Sequence, residues 1–291
     1  MRIPGQKNKL YKRVEFTLVD WAFFIGEKMK FLTNDKIKLD YQDSGSGQPV
    51  ILVEGFGGYQ EVWQAQVEYL LEMNCRVITY DHRNQGKSQR TDKNLTIEQL
   101  VNDLASLIDY LQIKKPILIG HSMGASICYA YLSKYRNVKT VMAIDQSPKM
   151  LNGQDWQYGF EDITQENFKA KVTTPNGIHE TLHGLDSRIS FDLNKVKANY
   201  PFDRDKDLPL LFDHIQKDWR DTVLNTKVPI NLVVAKESPY FNYRFAQLMS
   251  EKNPCISQVV IDDCGHDIMA EVPDIFNQTL RHFIFQSKRK K

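Results

Sequence analysis

A serine with a glycine two positions away on each side, Gly120-His121-Ser122-Met123-Gly124, follows the apolar run Ile117-Leu118-Ile119. A strand needs no such punctuation. Glycines at those two places belong to a sharp turn where neighbouring backbone comes too close for a Cβ. Set between a strand and a helix, such a turn lifts the serine hydroxyl clear of the chain. That hydroxyl is a poor nucleophile until a base takes its proton. The chemistry asks for an imidazole in reach, an acid to hold its tautomer, and backbone donors aimed at a developing oxyanion. The N–H of Met123, directly after the serine, is one such donor.

Several elements must position this turn. Residues 117–119 read as a buried strand and Ala125 to Tyr135 as a helix. Upstream, 36–41 reads as a strand running into the turn Asp43-Ser44-Gly45-Ser46-Gly47, and 50–53 and 76–80 as short apolar strands. Thr96, with Glu98 and Gln99 just inside, caps an amphipathic helix over 96–112, and 138–144 is a further strand. The rhythm breaks at Ser147-Pro148. To about Thr222 the chain carries aromatic residues mixed with charge and no buried strand, which predicts a mostly helical insertion. Strands resume at 228–235 and 257–261, with helices at 243–250 and 274–285. Short apolar strands alternating with helices predict an α/β fold: a mainly parallel sheet with helices on both faces. The expected division is an N-terminal extension (1–28), a core (29–147 and 223–287), a helical cap (148–222) and a basic tail (288–291).

Four segments in order make the resemblance specific. Gly120 to Gly124 matches G-x-S-x-G. Glu54-Gly55-Phe56-Gly57-Gly58 resembles an oxyanion loop of the form His-Gly-x-Gly. Tyr80-Asp81-His82-Arg83-Asn84-Gln85-Gly86-Lys87-Ser88 resembles D-x-R-G-x-G-x-S, and Asp263-Cys264-Gly265-His266-Asp267 resembles the G-H that carries a catalytic histidine. Over roughly residues 30–286 the chain resembles the α/β-hydrolase superfamily, in its serine esterase and haloperoxidase-like branch with a helical cap. The resemblance implies Ser122 as nucleophile, His266 as base, and the N–H groups of Phe56 and Met123 as oxyanion donors.

The acid is where the chain departs from the family. After the strand ending at Ala235 the family pattern leads to Gly-x-x-Asp, but the chain reads Ala235-Lys236-Glu237-Ser238-Pro239, with Ser238 in the Asp place. Two candidates remain. Asp145 leaves the preceding strand directly, where some family members carry the acid, and Glu237 lies one residue off register. Asp145 is preferred because its position is the more rigid. Glu54 is the second departure, standing where a histidine is common. A charge there would oppose an oxyanion unless it is paired or turned away.

Trp63, His121 and Tyr240 are expected near the substrate pocket with Glu54, although His121 occupies a position that is usually packing. His179 and His183 stand at i, i+4 spacing around Glu180, which is suggestive of metal. Gly177 and Gly184 argue against a long helix there, so no metal is expected, and no phosphate-binding or dinucleotide motif implies a cofactor. The formal charge of +2 comes from the ends: without Arg2, Lys7, Lys9, Lys12, Arg13 and residues 288–291 the remainder is −7. That argues against a nucleic-acid partner. No apolar run reaches the length of a membrane span. Four cysteines without C-x-x-C spacing suit a reducing cytoplasm, and the interrupted apolar run near Leu18 to Ile25 does not read as a signal peptide. A serine nucleophile excludes the branches that attack with Asp. What remains is acyl transfer to water from a small apolar or aromatic ester, lactone or thioester. A catalytically silent ligand-binding module and a cofactor-free perhydrolase are the alternatives.

Overall fold

The computed structural model describes residues 29–174 and 177–289. The expected extension 1–28 lies outside the described residues, as do Lys290 and Lys291. Eight strands form one sheet: β1 (Met29–Leu32), β2 (Lys38–Gly45), β3 (Gln48–Val53), β4 (Cys75–Tyr80), β5 (Ile117–His121), β6 (Thr140–Ile144), β7 (Ile230–Ala235) and β8 (Ile256–Ile261). Their order is β1-β2-β4-β3-β5-β6-β7-β8. The pairs β1–β2 and β2–β4 are antiparallel, and every pair from β4–β3 to β7–β8 is parallel. β2 runs further than its sequence suggests. Asp43 and Ser44 stay extended because they pair with Ile78 and Val77 of β4, and the Asp43 carboxylate holds Arg76 beside them.

The uniformly apolar strands have a two-sided reason. Ile51, Val53, Leu118, Val141, Leu232 and Val234 point into one core, while Val50, Leu52, Ile117, Ile119, Met142 and Val233 point into the other. Successive side chains of a strand face opposite ways, so a sheet covered on both faces needs apolar residues at every position. Helices α2 (Ile97–Tyr110), α3 (Met123–Lys134) and α8 (Arg244–Lys252) cover the first face through Leu100, Leu104, Ile127 and Phe245. Helices α1 (Gln64–Glu72) and α10 (Pro273–Arg289) cover the second through Leu70, Phe276 and Leu280. The Thr96 hydroxyl accepts the N–H of Gln99 at 3.2 Å, which sets the start of α2.

Between β6 and β7 the described residues form four helices: α4 (Phe168–Thr173), α5 (Ser187–Asn199), α6 (Leu208–Ile215) and α7 (Arg220–Asn225). Irregular chain joins them. It is pinned by bridges such as Lys149 to Asp218 and Phe160 to Phe241, and Trp156 Nε1 donates to the Lys149 carbonyl at 3.0 Å. A last short helix, α9 (Ile268–Glu271), precedes α10. Among the described residues no helix is long and apolar enough to cross a membrane.

Candidate active site

Ser122 sits between β5 and α3 at φ 53° and ψ −124°, in the left-handed half of backbone space that a side-chain-bearing residue rarely enters. The two glycines make this possible. A Cβ on Gly120 would lie 2.4 Å from the Gly124 carbonyl oxygen, and one on Gly124 would lie 2.1 Å from that of Val53. The strained serine is therefore clamped between the returning helix and the end of β3. Met123 begins α3, so its N–H belongs to the first turn, whose donors have no carbonyl within the helix to bind.

The loop after β3 passes directly over this turn. A Cβ on Gly55 would come within 3.1 Å of the Ser122 Cβ. Phe56 follows and stands edge-on to Phe202 at 5.1 Å, with Arg204 over its face at 5.7 Å. The loop is braced from below by His82. Its backbone N–H donates to Glu54 Oε1 at 3.2 Å, and its Nε2 reaches the Glu54 carbonyl oxygen at 3.1 Å. Burial depresses the His82 pKa to about 4, so the ring is neutral and Nε2 carries the hydrogen. Asp81 anchors the same segment by accepting from the Gln60 and Lys87 N–H groups at 2.9 and 2.8 Å.

Glu54 is 1% exposed. Burial, then the charges of Asp81 and Glu61, push its pKa well above the carboxylate range, so it is a neutral acid. Burial thus disfavours the possible negative charge beside the loop. Trp63 differs from expectation. It is fully buried and lies with Val50, Leu52 and Leu70 in the second core. The 3-10 turn Gln60–Trp63 before α1 buries the indole in the core under the central strand β3.

The two candidate acids part company. His266 Nδ1 lies 2.7 Å from Asp145 Oδ2. The other Asp145 oxygen accepts the Ala235 N–H at 3.0 Å, and the Ser238 hydroxyl donates to Oδ2 at 2.6 Å. Asp145 is fully buried and sits at φ 45° where the chain leaves β6. Glu237 Oε2 accepts the Asp263 N–H at 2.9 Å. Ser238 and Glu180 are contributors that sequence reasoning missed. Ser238 stands in the family's Asp place, and its hydroxyl is hydrogen-bonded to Asp145. The Glu180 carbonyl accepts the His266 N–H at 2.6 Å, and its carboxylate accepts from Tyr240 Oη at 2.6 Å.

His266 is 3% exposed. Burial pulls its pKa down, but the hydrogen bond and charge of Asp145 outweigh burial and raise it above the ordinary value. Tyr240 stands edge-on to the ring at 4.7 Å, and His121 is tilted against it at 4.5 Å. His121 Nε2 reaches the His266 carbonyl oxygen at 3.1 Å, and burial followed by the neighbouring imidazole keeps His121 neutral. His121 thus braces the loop that carries His266. His183 pairs with Asp263 at 3.0 Å on the surface, away from helix geometry, and His179 lies in irregular chain. Among the described residues no three acidic, histidine or cysteine side chains are grouped to hold a metal.

Ser122 opens onto two cavities. The larger, about 400 Å³, is walled by Phe56, Met150, Phe160, Leu211, Tyr240 and Phe241, with His214 and Arg204 among its few polar groups. The smaller, about 100 Å³, joins Ser122 to His266, His121 and the loop from Glu54 to Gly58.

A family model described as "alpha/beta hydrolase fold" matches residues 48–273. The chain belongs to the α/β-hydrolase fold family. Its fold is shared by an esterase from Exiguobacterium antarcticum, with a TM-score of 0.78 at 20% identity over 89% of this chain and 99% of that one. It is shared equally by a bromoperoxidase from Bacillus anthracis, with a TM-score of 0.77 at 22% identity over the same shares. Among curated proteins, a non-heme haloperoxidase from Rhodococcus erythropolis is 25% identical over 150 residues, 50% of this chain and 55% of that protein. The matched stretch is therefore about half the length of that relative.

Proposed function

We propose that this α/β hydrolase cleaves a small, mainly apolar or aromatic carboxylic ester through an acyl-enzyme, with Ser122 as nucleophile, His266 as base and Asp145 as acid. The observation that carries the reading is the 2.7 Å contact from His266 Nδ1 to a carboxylate whose remaining contacts are all donors. Asp145 holds the proton on Nδ1 and leaves Nε2 free to accept the Ser122 proton. The serine then attacks the ester carbonyl, the oxyanion settles on the N–H groups of Met123 and Phe56, and His266 returns the proton to the leaving alkoxide. Water repeats the sequence on the acyl-enzyme. The neutral state of Glu54 supports this role for its loop, since a buried anion beside the oxyanion would work against it. The helices between β6 and β7 form the roof of the larger cavity, whose aromatic walls suit a substrate of the stated kind.

The haloperoxidase relative supports a second reaction at the same residues, in which hydrogen peroxide takes the acyl group in place of water. Labelling with a fluorophosphonate, read by intact mass, tests the common step. One adduct on the wild type and none on Ser122→Ala is expected. No adduct on folded wild type refutes the mechanism for both reactions and leaves a ligand-binding module.

A further inference from the structure

Residues 177–186 lead into α5 without helix or strand, and they pass against the loop that carries His266. Burial does little to hold them: the apolar side chains of Ile178 and Leu182 are 37% and 50% exposed. Yet the contact with the loop is close. A Cβ on Gly265 would lie 2.3 Å from the Glu180 carbonyl oxygen, the same oxygen that accepts the His266 N–H. The Glu180 carboxylate accepts from Tyr240 Oη, and Tyr240 packs edge-on against the imidazole. This strap therefore meets the base twice, through its backbone and through the ring beside it.

The strap is fastened by Glu271, the last residue of α9, which is 8% exposed. Its Oε1 accepts the N–H groups of Leu182 and His183, each at 2.7 Å. Its Oε2 accepts the N–H of Gly265, directly before His266, also at 2.7 Å. One carboxylate thus joins the strap to the catalytic loop, through bonds to an ionised acceptor that are about twice as strong as neutral ones. The same strap contributes Ile178 and Glu180 to the wall of the larger cavity, and Glu180 and Leu185 to that of the smaller.

We propose that Glu271 is a positioning residue: by clamping strap 177–186 to the catalytic loop, it keeps the His266 imidazole aligned with Ser122. This rests on the reading of Ser122, His266 and Asp145 as a triad.

Glu271→Gln opens one side of the clamp. Two N–H groups converge on Oε1, so the amide oxygen takes that place. The NH₂ then meets the buried Gly265 N–H, donor against donor. The strap stays held and the catalytic loop loses its anchor. On p-nitrophenyl acetate kcat should fall by about 10- to 100-fold, up to the cost of a 1 Å misplacement, with KM within about twofold. The acid limb of kcat/KM should also move to lower pH. Asp145, Asp267 and Glu180 all raise the His266 pKa, while Tyr240 and a neutral His121 complete its surroundings. As loop and strap separate, the Glu180 charge retreats, and the imidazole becomes neutral at a lower pH than before.

A role in stability alone predicts an earlier thermal unfolding with kcat and the acid limb unchanged, and that result overturns the proposal. Glu271→Asp, which keeps both oxygens on a shorter stem, should recover part of the kcat lost in Glu271→Gln. If Glu271→Gln does not fold, Glu271→Asp decides by the same two readouts, and wild-type values for both overturn the proposal. A wild type that neither hydrolyses the ester nor takes up a fluorophosphonate refutes the triad reading and leaves the clamp testable. Amide hydrogen exchange on peptides spanning 177–186 and 263–268 is then compared between wild type and Glu271→Gln. Faster exchange at 263–268 supports the clamp, and equal exchange overturns it.

Discussion

Replacing Asp145 with asparagine should silence the enzyme by turning one imidazole around. Oδ1 accepts from the Ala235 N–H at 3.0 Å, and that buried donor has to keep an oxygen. In Asp145→Asn the amide oxygen therefore takes the Oδ1 place, and the NH₂ takes the Oδ2 place facing His266 and Ser238. Ser238 Oγ, which already accepts the Tyr240 and Phe241 N–H groups at 3.2 Å, loses the acceptor for its own hydrogen. His266 Nδ1 must then become the acceptor for the amide, which moves the ring hydrogen to Nε2, where the Ser122 proton is meant to go. A triad held in the wrong tautomer loses about 10⁴ in kcat, or about 5 kcal/mol of transition-state stabilisation. Removing the charge also removes what raises the His266 pKa, so residual activity should extend to lower pH than in wild type. The assay is p-nitrophenyl acetate hydrolysis across pH 5–9, with circular dichroism as the check on folding. A folded Asp145→Asn within tenfold of wild type refutes the reasoning, and so does an equal loss in Glu237→Gln.

Ser238→Ala removes the 2.6 Å hydroxyl contact to Asp145 but leaves the Ala235 and His266 contacts, so kcat should fall by roughly tenfold rather than 10⁴; a loss as large as that of Asp145→Asn would show that Ser238 does more than hold the acid. Glu54→Gln keeps a neutral side chain at every pH. Wild-type Glu54 retains its proton when folded and loses it above about pH 4.5 when unfolded, so it favours folding fully below that pH and progressively less as pH rises. The variant's unfolding free energy, followed by urea titration, should fall less steeply than wild type between pH 5 and 8, by up to about 1 kcal/mol per pH unit; identical slopes would mean that Glu54 ionises normally.

The frame of the site was legible because local rules define it. Alternating short apolar strands and capped helices identify the sheet, and the glycines around Ser122 identify the turn, since both depend on backbone geometry within a few residues. The identity of the acid was not legible to the same degree. Asp145 and Glu237 both follow strands that end beside His266, and only the pairing of β6 with β7 brings Ala235 N–H and Ser238 onto Asp145. Trp63 misled because an aromatic at helical spacing after a glycine loop looks the same whether it faces a pocket or a core. The bonds from Leu182 and His183 to Glu271 span 89 and 88 residues, beyond any local pattern.

The contrast between two buried carboxyls explains how one site holds both an acid and an oxyanion. Asp145 is met by three donors, from Ala235, Ser238 and His266. Glu54 faces a single backbone N–H and has Asp81 and Glu61 as electrostatic neighbours, so burial and repulsion keep it protonated. The same repulsion reaches Asp81, where burial first and then the Glu61 charge push the pKa to about 7. In the proposed mechanism the hydrogen-bonded carboxyl stands behind His266, where it would stabilise an imidazolium, and the protonated one stands by the loop over Ser122, where a charge would oppose a tetrahedral oxyanion. On this argument a histidine is dispensable at position 54: what the loop needs there is a neutral group that can accept the His82 N–H, and a buried glutamic acid meets both conditions.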